Sequence, residues 1–225
     1  MSSEINTIRL LGATQFFVIV LGIIGAYFIE TAVGTGSISE ILVNISQNER
    51  LLRIGNLVVL VESVLIVVLG VLFYSVFKDQ YNIISLVALC SFLAEAITKA
   101  AANLGTWALI PLSQEFVSAG TPDPSYFLTL GDFLYYGLDK KFYEIHMLFF
   151  CFGAILFYYL FYITSYIPRW LSIWGLASVC LLAIPTLFVL YDPDFLPGAI
   201  VLALPYFPFE FALGLWLMIK GVNLS

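Results

Sequence analysis

The sequence predicts an all-α fold: a polytopic transmembrane helical bundle of about six spans, with two short interfacial helices in the outer loops. The 225-residue chain is 61% hydrophobic and only 11% charged, whereas soluble domains carry roughly 25% charged residues. Its mean hydropathy is +1.01. The apolar residues form long continuous runs, and hydrocarbon requires every backbone polar group to be paired within the segment, so the runs are helices. We expect a single domain over residues 1–225.

Six apolar runs are long enough to cross a bilayer, which takes roughly 20 residues for about 30 Å of hydrocarbon. The predicted spans lie near residues 10–28, 54–77, 83–110, 142–164, 170–191 and 198–219. The first run is too long for the apolar region of a signal peptide and has one basic residue before it, Arg9. We therefore expect it to remain as the first span.

The two longer connections each contain an amphipathic stretch. In the first, Ser37 and Glu40 stand in the S-x-x-E spacing of a helix capping box. In the second, near residues 111–141, apolar residues again share one helical face. Both stretches are typical of short helices lying in the membrane interface. Two roles are open for them: a lid over an outward-facing cavity, or a seal over the helix ends.

Charge distribution indicates the location of the chain and excludes one class of partner. Short connections near residues 78–82 and 166–169 carry basic residues on the side of the termini, and basic residues in short loops favour the cytoplasm. We expect a multi-pass protein of the cell membrane, surrounded by the lipid bilayer, with cytoplasmic N- and C-termini. The net charge of −6 argues against a nucleic-acid partner. The three cysteines have no zinc or disulfide spacing, and no metal or cofactor is predicted.

Charged residues inside the spans are the most informative feature, because each is costly in hydrocarbon and needs a partner or a wet cavity. Glu62 lies in span two, Glu95 and Lys99 lie in span three, and Glu210 lies in span six. His146, the one histidine, is about one turn inside span four. These residues are predicted to face the interior of the bundle.

Span three has the clearest pattern. Ser91, Glu95, Lys99 and Asn103 recur every four residues and so form one slowly drifting stripe. Glu95 precedes Lys99 by one turn, the favourable order for an ion pair within a helix. Such a pair would neutralise both charges and leave no function to explain, whereas an inward stripe lining a cavity would form part of a site.

The pair in span three leaves Glu62 and Glu210 unexplained. Because burial favours the neutral form of a carboxyl group, we expect at least one of them to be protonated. Span six also contains Pro205 and Pro208 just before Glu210, and each proline removes an amide donor from the helix. A broken helix carrying a carboxylate is how many transporters build a site.

These observations predict one polar cavity, open to the outer side, that binds a small ligand. The candidate ligand-binding residues are Glu62, Glu95, Lys99, Asn103, His146 and Glu210.

Two segments near the C-terminus resemble a known family. Residues 165–175 read SYIPRWLSIWG and residues 208–221 read PFEFALGLWLMIKG. With the amphipathic stretch before Arg53 and the aromatic span after His146, they resemble the prokaryotic integral membrane proteins called the domain of unknown function 4386 family. The resemblance implies a prokaryotic multi-span membrane protein and carries no reaction, ligand or catalytic residue.

Three functions remain open from the sequence. The favoured one is the binding or carriage of a small amphiphilic or apolar ligand in the intramembrane polar cavity. The second is an accessory subunit of a larger membrane complex, or a homo-oligomer, with a filled interior. The third is a membrane enzyme that uses the intramembrane Glu and His side chains as acid and base. No HExxH, GxSxG or aspartate-rich motif is present, so no catalytic residue is assigned.

Overall fold

The computed structural model describes residues 2–120, 125–191 and 199–222, and within them the only regular structure is helical. Within these ranges seven α-helices follow one another, with a π-helical stretch at Phe133–Lys140 and a 3-10 turn at Ala199–Ala203. The α-helices are α1 (Ser2–Val33), α2 (Ile38–Gln47), α3 (Glu49–Ala119), α4 (Ser125–Asp132), α5 (Lys141–Thr164), α6 (Arg169–Tyr191) and α7 (Tyr206–Ile219).

Helix α3 consists of two antiparallel arms. Tyr81 has φ −133° and ψ 50°, which is not helical, so the 71-residue element is divided there. Its two arms, 49–80 and 82–119, correspond to the predicted spans two and three. Counting the arms separately, the described helices that are long and apolar enough to cross a membrane number six. The predicted fold class is therefore confirmed.

The second arm of α3 runs further than predicted. Pro111 lies inside the helix without ending it, because a proline forfeits one backbone hydrogen bond while its neighbours keep theirs. The helix ends instead at Gly120, whose φ of 52° and ψ of 36° place it in the left-handed region that glycine adopts without a Cβ penalty.

The segment before span four also differs from the prediction. We expected a separate interfacial helix there, and the structure has α4, the π-helical stretch and α5 following one another without a gap from Ser125 to Thr164. At Gly105, a Cβ atom would lie 2.7 Å from the carbonyl oxygen of Leu134. The backbone of the π-helical stretch therefore packs directly on the second arm of α3.

Span six is broken, as Pro205 predicted. The 3-10 turn ends at Ala203, and α7 begins at Tyr206. The carbonyl oxygen of Pro205 accepts hydrogen bonds from Trp174 Nε1 at 3.2 Å and Ser178 Oγ at 3.4 Å. Residue 198, the predicted start of this span, lies outside the described residues.

The chain forms two compact units, and the single domain expected from the sequence stays a prediction. The first unit comprises Met1–Ile19, Val64–Ala96 and Glu144–Ser225; the second comprises Val20–Ser63 and Ile97–Tyr143. The core of the first unit is aromatic: Phe73 stacks on Phe157 with ring centroids 4.5 Å apart, and Phe77 meets Phe161 edge to face.

The core of the second unit explains the position of α2. Its apolar residues Ile41, Leu42 and Ile45 are fully buried against a cluster that includes Leu109 and Ile110. The apolar face of α2 thus packs on protein. Of the two roles predicted for this stretch, this arrangement favours the one in which α2 seals the helix ends, rather than the one in which it covers a cavity.

Candidate functional site

The antiparallel arms of α3 bring distant polar residues together in the second unit. Lys99 Nζ, on the second arm, donates to Glu62 Oε1 on the first. One level further from the break, Asn103 Nδ2 donates to the backbone carbonyl of Asn56 at 2.8 Å. For both pairs of residues, the midpoint of the sequence between the two partners lies close to Tyr81. This is expected of a helical hairpin that turns at that residue.

In the Glu62–Lys99 ion pair, the carboxylate is buried and the ammonium is partly buried. The relative exposure of the side chain is 5% for Glu62 and 14% for Lys99. The sequence offered Glu95 as the partner of Lys99 and left Glu62 without a cation. Because the pair joins the two arms, its formation depends on their register and could not be derived from helical spacing alone.

Gly22 of α1 provides the space for this carboxylate. A Cβ atom at Gly22 would lie only 2.9 Å from Glu62 Oε1. Any larger residue there would push the carboxylate away from its present position. The glycine is thus part of the local environment of the ion pair.

Two neutral polar residues complete the cluster and were missed in the sequence. Asn56 and Thr106 are both essentially inaccessible. The Thr106 hydroxyl lies 3.0 Å from Asn56 Oδ1 and 2.9 Å from the carbonyl oxygen of Asn103. Their positions inside apolar spans could have revealed them, since Asn56 lies six residues before Glu62 and Thr106 lies three residues after Asn103. We call the cluster the polar seam; its members are Asn56, Glu62, Lys99, Asn103 and Thr106.

Two atoms of the polar seam are unsatisfied. Glu62 Oε2 and Asn56 Nδ2 are buried and have no hydrogen-bond partner among the residues that the structure describes. One is an acceptor and the other a donor. Buried polar groups are satisfied in the great majority of cases, so two such atoms in one cluster indicate a place where a further polar group would be stabilised.

The remaining predicted site residues belong to the first unit. Glu95 and His146 are buried there, and Glu210 is half-buried. Glu210 Oε1 accepts hydrogen bonds from Gln15 Nε2 at 3.0 Å and from the hydroxyl of Tyr206. The structure therefore brings Glu62, Lys99 and Asn103 together, and a single cavity shared with the other three residues stays a prediction.

A surface depression of the second unit lies elsewhere. It has a volume of about 370 Å³ and is lined by residues 46–51, at the junction of α2 and α3. None of the predicted site residues lines it. Over the described ranges, no group of three or more His, Cys, Asp or Glu side chains is placed to hold a metal ion.

Comparison with known proteins gives one match. No curated protein and no solved structure is similar enough to be matched. The model of the family described as domain of unknown function (DUF4386) matches residues 10–221, which is nearly the whole chain. The resemblance noted in the PRW and WLMIKG segments is thereby confirmed, and the protein belongs to the DUF4386 family.

Proposed function

We propose that this protein binds a small amphiphilic molecule at the polar seam between the two arms of α3. The observation that supports the proposal is the pair of unsatisfied buried atoms, Glu62 Oε2 and Asn56 Nδ2. Leaving a buried donor or acceptor unpaired costs about 1–3 kcal/mol. A ligand head group with several hydroxyls, each able to donate and to accept, would recover that free energy at the atoms it reaches.

The surroundings of the polar seam suit an amphiphile rather than a freely soluble polar molecule. The first arm of α3 exposes the apolar side chains of Leu57, Leu60 and Val61, which neighbour the seam residues Asn56 and Glu62 in the sequence. An acyl or alkyl tail would lie along such side chains, where its transfer from water gains about 0.8 kcal/mol per buried CH₂. The head group would supply specificity and the tail would supply most of the affinity.

The Glu62–Lys99 ion pair also supports the proposal that a ligand binds at the polar seam. Removing two charges from water is costly, and a buried pair is weak evidence for stability. In the polar seam, Lys99 holds one carboxylate oxygen of Glu62 and leaves the other buried without a partner. We propose that Glu62, Lys99 and Asn103 act in this site. A part for Glu95, His146 and Glu210 in ligand binding stays a prediction from the sequence.

The proposal extends to the location of the protein. Long apolar helices are compatible with a multi-pass membrane protein, and we propose the cell membrane with both termini in the cytoplasm. With this orientation, the basic residues in the short connections near 78–82 and 166–169 lie on the cytoplasmic side. The ligand would then reach the seam from the bilayer or from the outer side.

A binding measurement with a defined amphiphile tests the function. Native mass spectrometry of the full chain in mild detergent would be titrated with 1-dodecanoylglycerol, a neutral amphiphile with hydroxyl groups. We expect saturable binding to the wild-type chain. Asn56→Leu should weaken it about tenfold, which corresponds to about 1.4 kcal/mol and to the loss of one hydrogen bond.

The matched control is Ser113→Ala, on the second arm of α3. Ser113 is also fully buried, and its hydroxyl bonds the carbonyl oxygen of Ile110 in its own helix. Its replacement should leave binding unchanged. Equal affinities for wild type and N56L would contradict a ligand at the polar seam, as would a wild-type chain that takes up no amphiphile while remaining folded.

A further inference from the structure

Within the second unit, helix α1 packs antiparallel on the first arm of α3, and glycines make the contact close. A Cβ at Gly25 would lie 3.0 Å from Val59 Cγ2, and one at Gly55 would lie 3.1 Å from the amide nitrogen of Ile29. Both distances are shorter than ordinary van der Waals contact. The two helices therefore leave no room for a further group at either level.

About one turn further along this crossing, the group that faces α1 is a carboxylate. A Cβ at Gly22 would lie 2.9 Å from Glu62 Oε1 and 3.7 Å from Glu62 Oε2. Lys99 donates to Oε1, whereas Oε2 is buried and has no hydrogen-bond partner among the residues that the structure describes. Glycine has no side chain, and an amide inside a helix donates to its own helix. Helix α1 therefore cannot satisfy this oxygen, which lies beside it.

The crossing is accessible from the side at Gly22 and closed nearer to α2. Gly22 is half-buried, whereas Gly25 is buried. The side chains that follow or precede the contact in the sequence, Ile23 on α1 and Val61 on α3, are exposed and apolar. A molecule dissolved in the bilayer would lie against such side chains and approach the Glu62 carboxylate past Gly22.

The depth of this position restricts the head group. Glu62 lies eight residues inside the predicted second span, or about 12 Å at 1.5 Å per residue. An ionised head group would lose its hydration there, which costs far more than the burial of a hydroxyl. An anion would also be repelled by the carboxylate. A hydroxyl supplies the missing donor and carries no charge.

We propose that α1 forms a third wall of the ligand site, and that a long-chain alcohol enters sideways from the bilayer at Gly22 and donates its hydroxyl hydrogen to Glu62 Oε2. This inference rests on the proposed function and specifies the entry route and the class of ligand. Gly22 determines specificity, because any side chain there would occupy the space beside the carboxylate. Asn56 lies six residues from Glu62, about 9 Å along the helix axis, so a second polar group of the ligand would be needed to reach it.

Photolabelling of the full chain in lipid nanodiscs tests the inference. The probe is dodecan-1-ol with a diazirine close to its hydroxyl group, and the labelled residues are mapped by peptide mass spectrometry. We expect saturable labelling within residues 20–26 of α1, which excess 1-dodecanoylglycerol prevents and excess dodecanoate does not. Gly22→Ala should reduce this labelling by about tenfold or more, because the added methyl group meets the carboxylate.

Gly131→Ala is the matched control, because the nearest atoms to a Cβ at Gly131 are 3.5 Å away, and its labelling should equal that of wild type. Saturable labelling confined to the two arms of α3 would overturn the third wall and leave binding at the polar seam intact. Unchanged labelling in a folded Gly22→Ala chain would overturn the role of Gly22, and competition by dodecanoate would overturn the uncharged head group. If Gly22→Ala fails to fold, the positions labelled in wild type decide. A folded chain with no saturable labelling on α1 or α3 would contradict the proposed function itself.

Discussion

The ammonium group of Lys99 balances the negative charge of the buried Glu62 carboxylate. A single buried charge without a counter-charge is far more costly than a buried pair. We expect Lys99→Met to destabilise the protein by about 3–5 kcal/mol, since it leaves Glu62 uncompensated. The measurement is reversible unfolding in mild detergent, monitored by tryptophan fluorescence.

The double variant Glu62→Gln/Lys99→Met is the companion of that measurement. It removes both charges and keeps the approximate shape of both side chains, so most of the lost stability should return. Equal destabilisation in the single and the double variant would mean that Lys99 stabilises the protein through packing and that the ion pair contributes nothing to the free energy of unfolding.

At the scale of single residues, the sequence predicted which charges matter and left their pairing open. Glu62 and Lys99 were identifiable because charges are rare in apolar spans. Asn56 and Thr106 were missed because neutral polar side chains are common in membrane helices and often bond their own backbone. Their contacts across the arms depend on the register of a hairpin, and no spacing within one helix encodes that register.

At the scale of helices, the crossing of α1 and α7 depends on a glycine. A Cβ at Gly12 would meet the Gly214 carbonyl oxygen at 2.7 Å and the amide nitrogen of Met218 at 2.7 Å. Backbone atoms cannot move aside as a side chain can. Gly12→Ala should therefore destabilise the protein by about 2 kcal/mol or more, in spite of the higher helix propensity of alanine.

Gly131→Ala is the matched control. The nearest atoms to a Cβ at Gly131 are 3.5 Å away, which is ordinary contact. This variant should lie within about 1 kcal/mol of wild type in the same unfolding measurement. Similar losses for the two variants would show that the close approach of α1 and α7 is absent in the membrane.

The start of α2 should respond to pH. The amide and hydroxyl of Ser37 donate to Glu40 Oε2 at 2.7 and 2.8 Å. The backbone hydrogen bond from Ser37, with a smaller part from its hydroxyl, lowers the pKa of Glu40 from 4.5. Because this pKa is lower in the folded state, the stabilisation is complete above pH 4.5 and is lost as the pH falls through the folded value.

Hydrogen exchange of the first turn of α2 measures this effect. After correction for the intrinsic rate, protection should be constant from about pH 7 to about pH 5 and should fall in more acidic solution. Glu40→Gln should show no such fall. A wild-type profile with the same shape as that of E40Q would mean that the cap is not formed.

Helix boundaries were predictable where local chemistry sets them. The S-x-x-E capping box located α2, and Pro205 located the break in span six. The continuity of α4 with α5 was not predictable, because the eight-residue π-helical stretch between them depends on its packing against Gly105. A π-helix has no distinct periodic signal in so short a segment.

At the scale of the whole molecule, the break at Tyr81 decides whether the number of spans is even or odd, and so on which side of the membrane each connection lies. With two arms in α3 and six spans in all, we expect residues 79 and 220 on one side of the membrane and residue 48 on the other. The test uses single cysteines at Asn48, Asp79 and Lys220 in a chain whose three native cysteines are replaced by alanine. We expect a membrane-impermeant maleimide to label only position 48 in intact cells and all three after permeabilisation. Labelling of positions 79 and 220 in intact cells would reverse the proposed orientation.

The fold class followed from composition and run length, since the chain is 61% hydrophobic and its continuous apolar runs are too long for the strands of a membrane barrel. The function did not follow in the same way. It depends on which polar groups share one interior, and the two units each collect part of the predicted set: Glu62, Lys99 and Asn103 in one, Glu95, His146 and Glu210 in the other.

The most direct test is an experimental density map of the protein in lipid nanodiscs, inspected at the polar seam. The account predicts elongated non-protein density between the arms of α3, with a polar group within about 3.2 Å of Glu62 Oε2 and one within about 3.2 Å of Asn56 Nδ2. A map in which these two atoms are bonded to neighbouring protein groups, with no density between the arms of α3, would contradict it.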